Sequence, residues 1–322
     1  MSRPKMLFVS SGIPSSDSKY RSPYIRRYLE ALEDSFNIIQ VQPKSSGFLG
    51  VFQTNIRIFS LILKGSIDKE TILFVHSLTH AFTTILLNSE KVFINFHGVE
   101  VFHSNRNGVR IPISLYLRIK GGDIKAIFPS RYLLNAVKTT YACSFQRKLV
   151  NYSLGVDVSA KYERKRHNEK IKVFYPGSLT YLKGYDTFVE CVIMYPDISF
   201  YCFPNVYDSL SEYNNVFIQE EYDFNDRYKV LREFDVLLQL SRFESLSLVV
   251  LEAYLQNVLC IARRLPVMEE IKPQLPNLQF FKGVNELESL ISCHIGVSND
   301  LDSLDFDQSR CINNTLKFIV ND

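Results

Sequence analysis

Two glutamates, Glu244 and Glu252, are the residues whose type and spacing most favour chemistry in this chain. They belong to residues 235–262, with the sequence DVLLQLSRFESLSLVVLEAYLQNVLCIA. Glu244 follows an apolar run, where its charge suits the positive end of the next helix. Glu252 lies among apolar residues of that helix, and a buried carboxylate needs a partner that the local sequence does not supply. The alternatives are a helix-start acid and a solvated acid at the edge of an apolar face.

The pattern around the glutamates predicts a strand, a loop, a helix and a second strand. The predicted ranges are Val236–Leu240, Ser241–Ser245, Leu246–Leu255 and Val258–Ala262. Continuous apolar runs are typical of strands in a parallel sheet covered on both faces. Ligands of such sheets bind at the carboxyl ends of strands, so the loop is the predicted place for chemistry.

A second candidate segment follows the predicted strand Lys172–Tyr175. It has the sequence PGSLTYLKG and places Gly177, Lys183 and Gly184 after the strand. Glycine allows a tight turn and a close approach of ligand to backbone. A strand followed by glycine and a helix-starting Lys-Gly pair is also common in plain scaffolds.

These two segments together resemble the retaining glycosyltransferases of the GT-B fold, in the glycogen-synthase-like group 1 family (glycosyltransferase family 4). Glu244 and Glu252 are eight positions apart, in E-S-L-S-L-V-V-L-E-A, where the family has a form similar to E-G-F-G-L-x-x-x-E-A. Gly177, Lys183 and Gly184 match a G-R-L-x-x-x-K-G pattern, but Ser178 replaces the arginine. The family's Ala-x-Gly-x-Pro run is also missing after the helix. The resemblance implies an α/β fold with two doubly wound Rossmann-like domains facing a central crevice.

The resemblance also implies roles for single residues. Glu244 would hold donor-sugar hydroxyls, Glu252 the ribose diol, and Lys183 the leaving diphosphate. His97, which precedes a glycine at the end of a predicted strand, would act near the transferred sugar. The catalytic candidates are His97, Lys183 and Glu244. The donor-binding candidates are Gly12, Gly177, Ser178, Lys183, Glu244, Ser245, Leu246, Ser247, Leu248 and Glu252. The resemblance implies that no metal or other cofactor is needed, and the sequence agrees with this, since it contains no acidic cluster with metal-ligand spacing.

A chain of 322 residues exceeds what one hydrophobic core usually supports, so two domains are expected. The predicted division is an acceptor-binding domain over 1–158, a linker over 159–170, a nucleotide-sugar-binding domain over 171–305 and a helix over 306–322 that crosses back to the first domain.

Charge is divided unequally along the chain. Residues 1–160 carry 20 Lys and Arg against 10 Asp and Glu, and residues 161–322 carry 17 against 24. The first half is therefore expected to meet something anionic, such as a membrane surface, through Arg26, Arg27, Arg106 and Arg110. The apolar runs are too short for a membrane span, and the six cysteines form no CxxC pair. We expect a cytoplasmic protein, with peripheral attachment to the inner face of the cell membrane as an option.

The function predicted from these features is transfer of a sugar from a UDP- or GDP-sugar to a saccharide or polyprenyl-linked acceptor, in cell-surface polysaccharide or glycolipid synthesis. A sugar-nucleotide epimerase is a second enzymatic hypothesis. A non-catalytic GT-B scaffold or partner subunit is a third, favoured by the loss of arginine at position 178. Nucleic-acid binding would explain the basic half, but no aromatic platform or motif supports it.

Overall fold

The computed structural model describes residues 3–11, 23–45, 47–87, 89–98, 107–120, 124–145, 147–160, 162, 170–222, 224–292 and 304–321. The chain divides into two compact units. One contains residues 1–155 together with 308–322, and the other contains residues 156–307.

The first unit is built on a parallel sheet of six described strands in the order β2-β1-β3-β4-β5-β6. The strands are β1 Lys5–Val9, β2 Asn37–Val41, β3 Ile72–Val75, β4 Val92–Asn95, β5 Ile124–Phe128 and β6 Arg147–Val150. The helices are α1 Pro23–Leu32, α2 Gly47–Leu63, α3 Asn107–Lys120, α4 Arg131–Tyr141 and, from the end of the chain, α11 Gln308–Val320. Short 3-10 segments occupy Leu78–Leu86 and Tyr152–Leu154.

Helices cover both faces of this sheet, which explains why β3 is apolar at every position and β1 and β4 are apolar at all positions but one. Alternate residues of β1 point to opposite sides: Leu7 and Val9 join one buried cluster, and Met6 and Phe8 join another. The first cluster lies under α2, α3 and the segment Leu78–Leu86.

The second unit repeats the plan, with a parallel sheet in the order β12-β11-β10-β7-β8-β9. Its strands are β7 Lys172–Tyr175, β8 Ser199–Cys202, β9 Val216–Ile218, β10 Val236–Gln239, β11 Leu259–Arg263 and β12 Leu278–Phe281. Its helices are α5 Tyr185–Met194, α6 Pro204–Tyr207, α7 Arg227–Leu231, α8 Leu248–Leu255, α9 Pro266–Ile271 and α10 Leu287–Ser292. Its 3-10 segments are Val158–Ala160, Tyr181–Lys183, Phe224–Asp226, Lys272–Gln274 and Val284–Glu286. Two doubly wound α/β units are thus confirmed.

Helix α11 packs in the core of the first unit although it follows the second unit in sequence. Ile319 is buried with the residues of the sheet, and the Phe318 ring lies 5.9 Å from that of Phe93. Asn151 donates from Nδ2 to the hydroxyl of Thr315 at 3.2 Å.

The observed junctions differ from the predicted ones by a few residues. The first unit ends at Gly155 instead of 158, and it resumes at Gln308 instead of 306. Of the predicted linker over 159–170, residues 161 and 163–169 lie outside the described part of the chain. No helix of the described residues is both long and apolar enough to cross a membrane.

Candidate functional site

The strand order of the second unit locates its ligand crevice. The chain runs outward from β7 through β8 to β9, then returns to β10 beside β7 and continues outward on the other side. Two loops therefore diverge at the carboxyl ends of β7 and β10, and such a switch point is where open α/β sheets bind ligands. Both segments selected from the sequence, residues 176–184 and 241–247, occupy this position.

The loop after β7 is held in shape by the side chain of Tyr175. Its buried hydroxyl lies 3.0 Å from the carbonyl oxygen of Lys183 and 3.2 Å from that of Ser178, and shares its hydrogen between them. Burial raises the pKa of Tyr175 far above the ordinary range, so the hydroxyl stays a donor. A Cβ at Gly177 would lie 2.2 Å from this ring, which explains the glycine.

Lys183 and Glu244, 61 residues apart in sequence, form an ion pair between the two loops. The Lys183 Nζ lies 2.7 Å from Glu244 Oε1, and the side chains are 42% and 14% exposed. Lys183 ends a short 3-10 turn and Gly184 follows with a φ of 77°, which brings the loop back to the start of α5. Two predicted catalytic residues are therefore in contact at the switch point.

A buried hydrogen-bond network fixes the loop after β10. Gln239 donates from Nε2 to the Ser247 hydroxyl at 2.7 Å and accepts from the Ser241 hydroxyl at 3.1 Å. Helix α8 begins at Leu248, two residues later than predicted, because Ser247 is tied back to β10 instead of entering the helix. Among the donor-binding candidates Ser245, Leu246, Ser247 and Leu248, only Leu248 lies in the helix. Ser247 is its N-cap, and the other two, Ser245 and Leu246, precede it.

Glu252 has the partner that its burial requires. Arg227, the first residue of α7, donates from Nε to Glu252 Oε1 at 2.9 Å, and the side chains are 12% and 8% exposed. The Arg227 guanidinium also lies 4.2 Å from the ring centre of Tyr228, and the Tyr228 hydroxyl accepts from the backbone N–H of Asp157 at 3.2 Å. The sequence missed Arg227, since a separation of 25 residues has no periodic signal.

Arg242 is a second cation beside the loop after β7, and it was also missed. Its guanidinium binds both carboxylate oxygens of Asp186, at 2.7 and 2.6 Å, and stacks 3.6 Å from the ring centre of Tyr181. This pairing lowers the pKa of Asp186. Arg242 is thus engaged by Asp186 and Tyr181 in this structure. Ser178 itself offers a hydroxyl, 3.4 Å from that of Thr180.

In the first unit, His97 lies against a second histidine. Strands β3 and β4 are neighbours, so His76 after β3 and His97 after β4 come together, with His76 Nδ1 2.7 Å from His97 Nε2. Asn95 Nδ2 lies 3.3 Å from the same Nδ1. Burial lowers the pKa of His97 to about 3 and that of His76 well below its ordinary value. Both imidazoles are therefore neutral at physiological pH.

Acidification is expected to destabilise the first unit. In the unfolded chain each histidine has a pKa of about 6.5, so below that pH the unfolded state binds protons that the folded state does not, down to about pH 3 for His97. The free energy of unfolding then falls as pH falls, by up to about 1.4 kcal/mol per pH unit for each histidine. Urea midpoints measured across this range test it. A His76→Gln/His97→Gln variant should lose less of its midpoint than the parent, and equal slopes would contradict the assignment.

Two predictions about the site remain, one for Gly12 and one for metal binding. Gly12, a predicted donor-binding residue, lies outside them. Among the described residues, no group of three or more His, Cys, Asp or Glu side chains is arranged to hold a metal ion.

Sequence similarity to known proteins covers only part of the chain. No protein-family model matches the chain. A Klebsiella pneumoniae protein, described as an uncharacterized 41.2 kDa protein in the cps region, is 34% identical over 137 residues, which is 38% of this chain and 38% of that protein. The match thus spans well under half of that relative.

Several solved glycosyltransferase structures superpose on most of the chain. Sucrose-phosphate synthase from Thermosynechococcus elongatus has a TM-score of 0.69 at 13% identity, over 90% of this chain and 89% of its own. The lipopolysaccharide outer core galactosyltransferase WaaB has a TM-score of 0.63 at 13% identity, over 98% and 99%. WaaG, a glycosyltransferase involved in lipopolysaccharide biosynthesis, has 0.61 at 13%, over 98% and 96%. The chain has the GT-B fold of these glycosyltransferases.

Proposed function

We propose that this chain is a retaining glycosyltransferase that moves a hexose from a UDP- or GDP-sugar to a saccharide or polyprenyl-linked acceptor. We place it in the cytoplasm, in the synthesis of a cell-surface polysaccharide or glycolipid. The fold, the residues at the switch point and the activities named for the structural neighbours support this proposal.

One observation carries the proposal: both glutamates selected from the sequence form ion pairs, one at the switch point and one in the helix that follows it. Lys183–Glu244 joins the loops after β7 and β10, and Glu252, one helix turn into α8, pairs with Arg227. A scaffold has no need of a buried carboxylate, because replacing a buried ion pair with apolar residues is often neutral or stabilising. Carboxylates with a cation beside them suit a ligand that carries both hydroxyl groups and phosphates.

The chemistry follows from where charge develops. As the bond between the sugar and the diphosphate breaks, negative charge grows on the leaving phosphate, and a preorganised cation stabilises it. Lys183 supplies that charge, and the amides at the start of α8 supply further donors. Glu244 is 14% exposed and Lys183 is 42% exposed, so the glutamate is held largely within the protein while the ammonium group remains open to a ligand.

The two glutamates take different parts of the donor in this proposal. Glu244 accepts hydrogen bonds from hydroxyls of the transferred sugar, and Glu252 accepts them from the ribose diol. His97 is proposed as a further catalytic residue, acting as a neutral imidazole. Transfer is proposed to need no metal.

Release of nucleoside diphosphate tests the function. A thermal-shift screen first identifies the nucleotide, because a ligand that binds only the folded state raises the unfolding midpoint. The full chain is then incubated with the matching nucleotide-sugars and with saccharide or polyprenyl-phosphate acceptors, with and without EDTA. Acceptor-dependent release that EDTA does not reduce is expected. Binding without release would favour the non-catalytic scaffold, and conversion of the donor without an acceptor would favour the epimerase.

Replacing each glutamate with glutamine should produce two different defects. Glu244→Gln should lower turnover and leave nucleotide affinity nearly unchanged, because it alters the end that holds the sugar. Glu252→Gln should weaken nucleotide binding about tenfold to a hundredfold, since hydrogen bonds to charged groups contribute roughly 1.5–3 kcal/mol. Calorimetry with the free nucleotide and steady-state kinetics separate the two effects.

The Arg227 contact makes the Glu252 experiment specific. Glutamine at position 252 can still accept from Arg227 Nε through its amide oxygen, so this contact is kept while the negative charge is lost. Glu269→Gln is the matched control, because Glu269 pairs with Arg264 at 2.7 Å on an exposed part of the same unit. The ribose assignment is wrong if Glu252→Gln binds the nucleotide as tightly as Glu269→Gln does.

A further inference from the structure

Helix α2 carries an apolar stripe on its outer side as well as its inner one. Phe48, Phe52, Ile56, Phe59 and Leu63 recur every three or four residues, so they share one face. They are exposed, Phe48 by 85% and Leu63 by 71%. With 17 residues, the helix extends this stripe over about 25 Å. Contiguous exposed apolar surface of this kind marks an interaction site.

The inner side of α2 packs against the rest of the first unit. Ile58 is buried in the core, and Asn55 donates from Nδ2 to the carbonyl of Thr79 at 3.0 Å and accepts from the backbone N–H of Thr83 at 2.8 Å. These contacts fix α2 against the segment Leu78–Leu86. The exposed stripe is therefore not the helix's own core-facing side.

Helix α3 adds a parallel set of exposed apolar residues on the same side of the sheet. Ile111, Leu115 and Ile119 are exposed and four residues apart, and Leu86 is exposed at the end of the segment Leu78–Leu86. The inward residues of α3, including Ile113, belong to the same buried cluster as Ile58 of α2. We call Phe48, Leu49, Phe52, Ile56, Phe59, Leu63, Leu86, Ile111, Leu115 and Ile119 the apolar face.

The charges on these elements have one sign. Helices α2 and α3 and the segment Leu78–Leu86 contain no Asp or Glu. Arg57, Arg110 and Arg118 are exposed on the two helices, and Lys44 and Lys64 are exposed on either side of α2. Apolar side chains next to cations without acids match an anionic lipid leaflet, which presents phosphates above hydrocarbon.

We propose that the apolar face and its cations bind the first unit to the surface of an anionic lipid bilayer, with α2 and α3 lying in the interface. This identifies a surface that the general excess of positive charge did not. Four arginines are expected from sequence to contact the membrane, and among those that the structure describes, Arg110 alone belongs to this surface. Arg27 is buried and donates to the carbonyl oxygens of Leu154 and Gly155, and Arg26 pairs with Glu30. Arg106 lies outside the described residues.

A second copy of this chain fits the face less well. Two copies meeting through it would bring the arginines of both partners together without acids from these elements, and like charges at an interface are unfavourable. A bilayer supplies the opposite charge over the whole length of the stripe. It also suits an enzyme whose proposed acceptor is a lipid-linked sugar, although the surface argument stands without that activity.

Vesicle flotation of the full chain without substrates tests the proposal, so its result does not depend on sugar transfer. The vesicles are phosphatidylcholine with or without phosphatidylglycerol. We expect binding to the anionic vesicles that added salt weakens.

Phe52→Glu/Ile56→Glu should abolish binding, whereas the control Ile193→Glu/Met194→Glu, at exposed apolar positions of the second unit, should not. Arg57→Gln/Arg118→Gln should weaken it about fivefold per charge. Lys148→Gln/Lys229→Gln removes two exposed positive charges outside this surface, and this control should bind as the parent does.

Each outcome decides the matter once circular dichroism shows that the variants are folded. Loss of binding in the apolar-face variant and weaker binding in the arginine variant, with parent-like binding in both controls, support the proposal. Equal binding by face and control variants overturns it, as does a parent chain that floats with neither vesicle. Light scattering identifies the competing occupant: a parent dimer that Phe52→Glu/Ile56→Glu dissociates, without vesicle binding, would assign the face to a second copy.

Discussion

A Lys183→Ala variant is expected to turn over about a hundredfold more slowly than the parent while it keeps its fold. Lys183 Nζ lies at the switch point, 2.7 Å from Glu244, where the proposed leaving diphosphate develops charge. Removing one preorganised stabiliser from an active site typically lowers turnover by about two to three orders of magnitude. The measurement is nucleoside diphosphate release at saturating donor. Parent-like turnover in a folded variant would exclude Lys183 from the site.

The ion pair leaves two explanations for such a loss, and a double-mutant cycle distinguishes them. Lys183 could bind phosphate, or it could only hold Glu244 in position. In the second case Lys183→Ala would have no further effect in a Glu244→Gln background, because the partner charge is already gone. A further loss in that background is expected if each side chain contacts the donor. Lys183→Arg, which keeps the charge, should recover part of the turnover.

Gly184→Ala is expected to destabilise the second unit strongly and to lower activity with it. Gly184 has a φ of 77°, a conformation that costs a residue with a side chain about 1–3 kcal/mol. In addition, an alanine Cβ would lie 2.3 Å from the carbonyl oxygen of Leu240. Because this contact is to backbone directly after β10, relief must shift the loop that contains Glu244. Denaturant unfolding and the release assay measure the two effects.

Gly65→Ala is the matched control for that change. Gly65 has a similar φ of 65°, but no atom lies within 4 Å of the added Cβ. Its substitution should cost only the conformational strain. If both alanine variants lose the same free energy of unfolding, the contact with Leu240 is relieved without cost. The loop after β10 would then move more easily than the structure indicates.

The fold around the switch point could be predicted closely from the sequence. The predicted strand Val236–Leu240 is observed as Val236–Gln239, and the predicted strand Val258–Ala262 as Leu259–Arg263. Parallel strands covered on both faces must be apolar at successive positions, so the sequence itself marks their ends. The first residue of α8 could not be predicted from the sequence, because it depends on a hydrogen bond from Gln239 to Ser247 that no local pattern encodes.

Contacts between distant residues account for what the sequence could not show. The burial of Glu252 indicated that a cation was needed, but choosing Arg227 requires knowing where α7 packs. His76 follows β3 as His97 follows β4, yet their contact depends on the order of strands in the sheet. Arg27 illustrates the opposite error, because a residue expected on the surface is buried against backbone carbonyls of a loop more than a hundred residues away.

The return of α11 to the first unit bears on the order in which the chain can fold during synthesis. Domains generally fold as units from the N-terminal side on the ribosome. Here the first unit lacks Thr315 and Ile319 until residues 308–320 emerge, after the whole of 156–307 has been made. The second unit is continuous and can close its core earlier. It can therefore be excised at its two junctions, whereas a fragment of the first unit needs α11 supplied, either fused to it or added as a peptide.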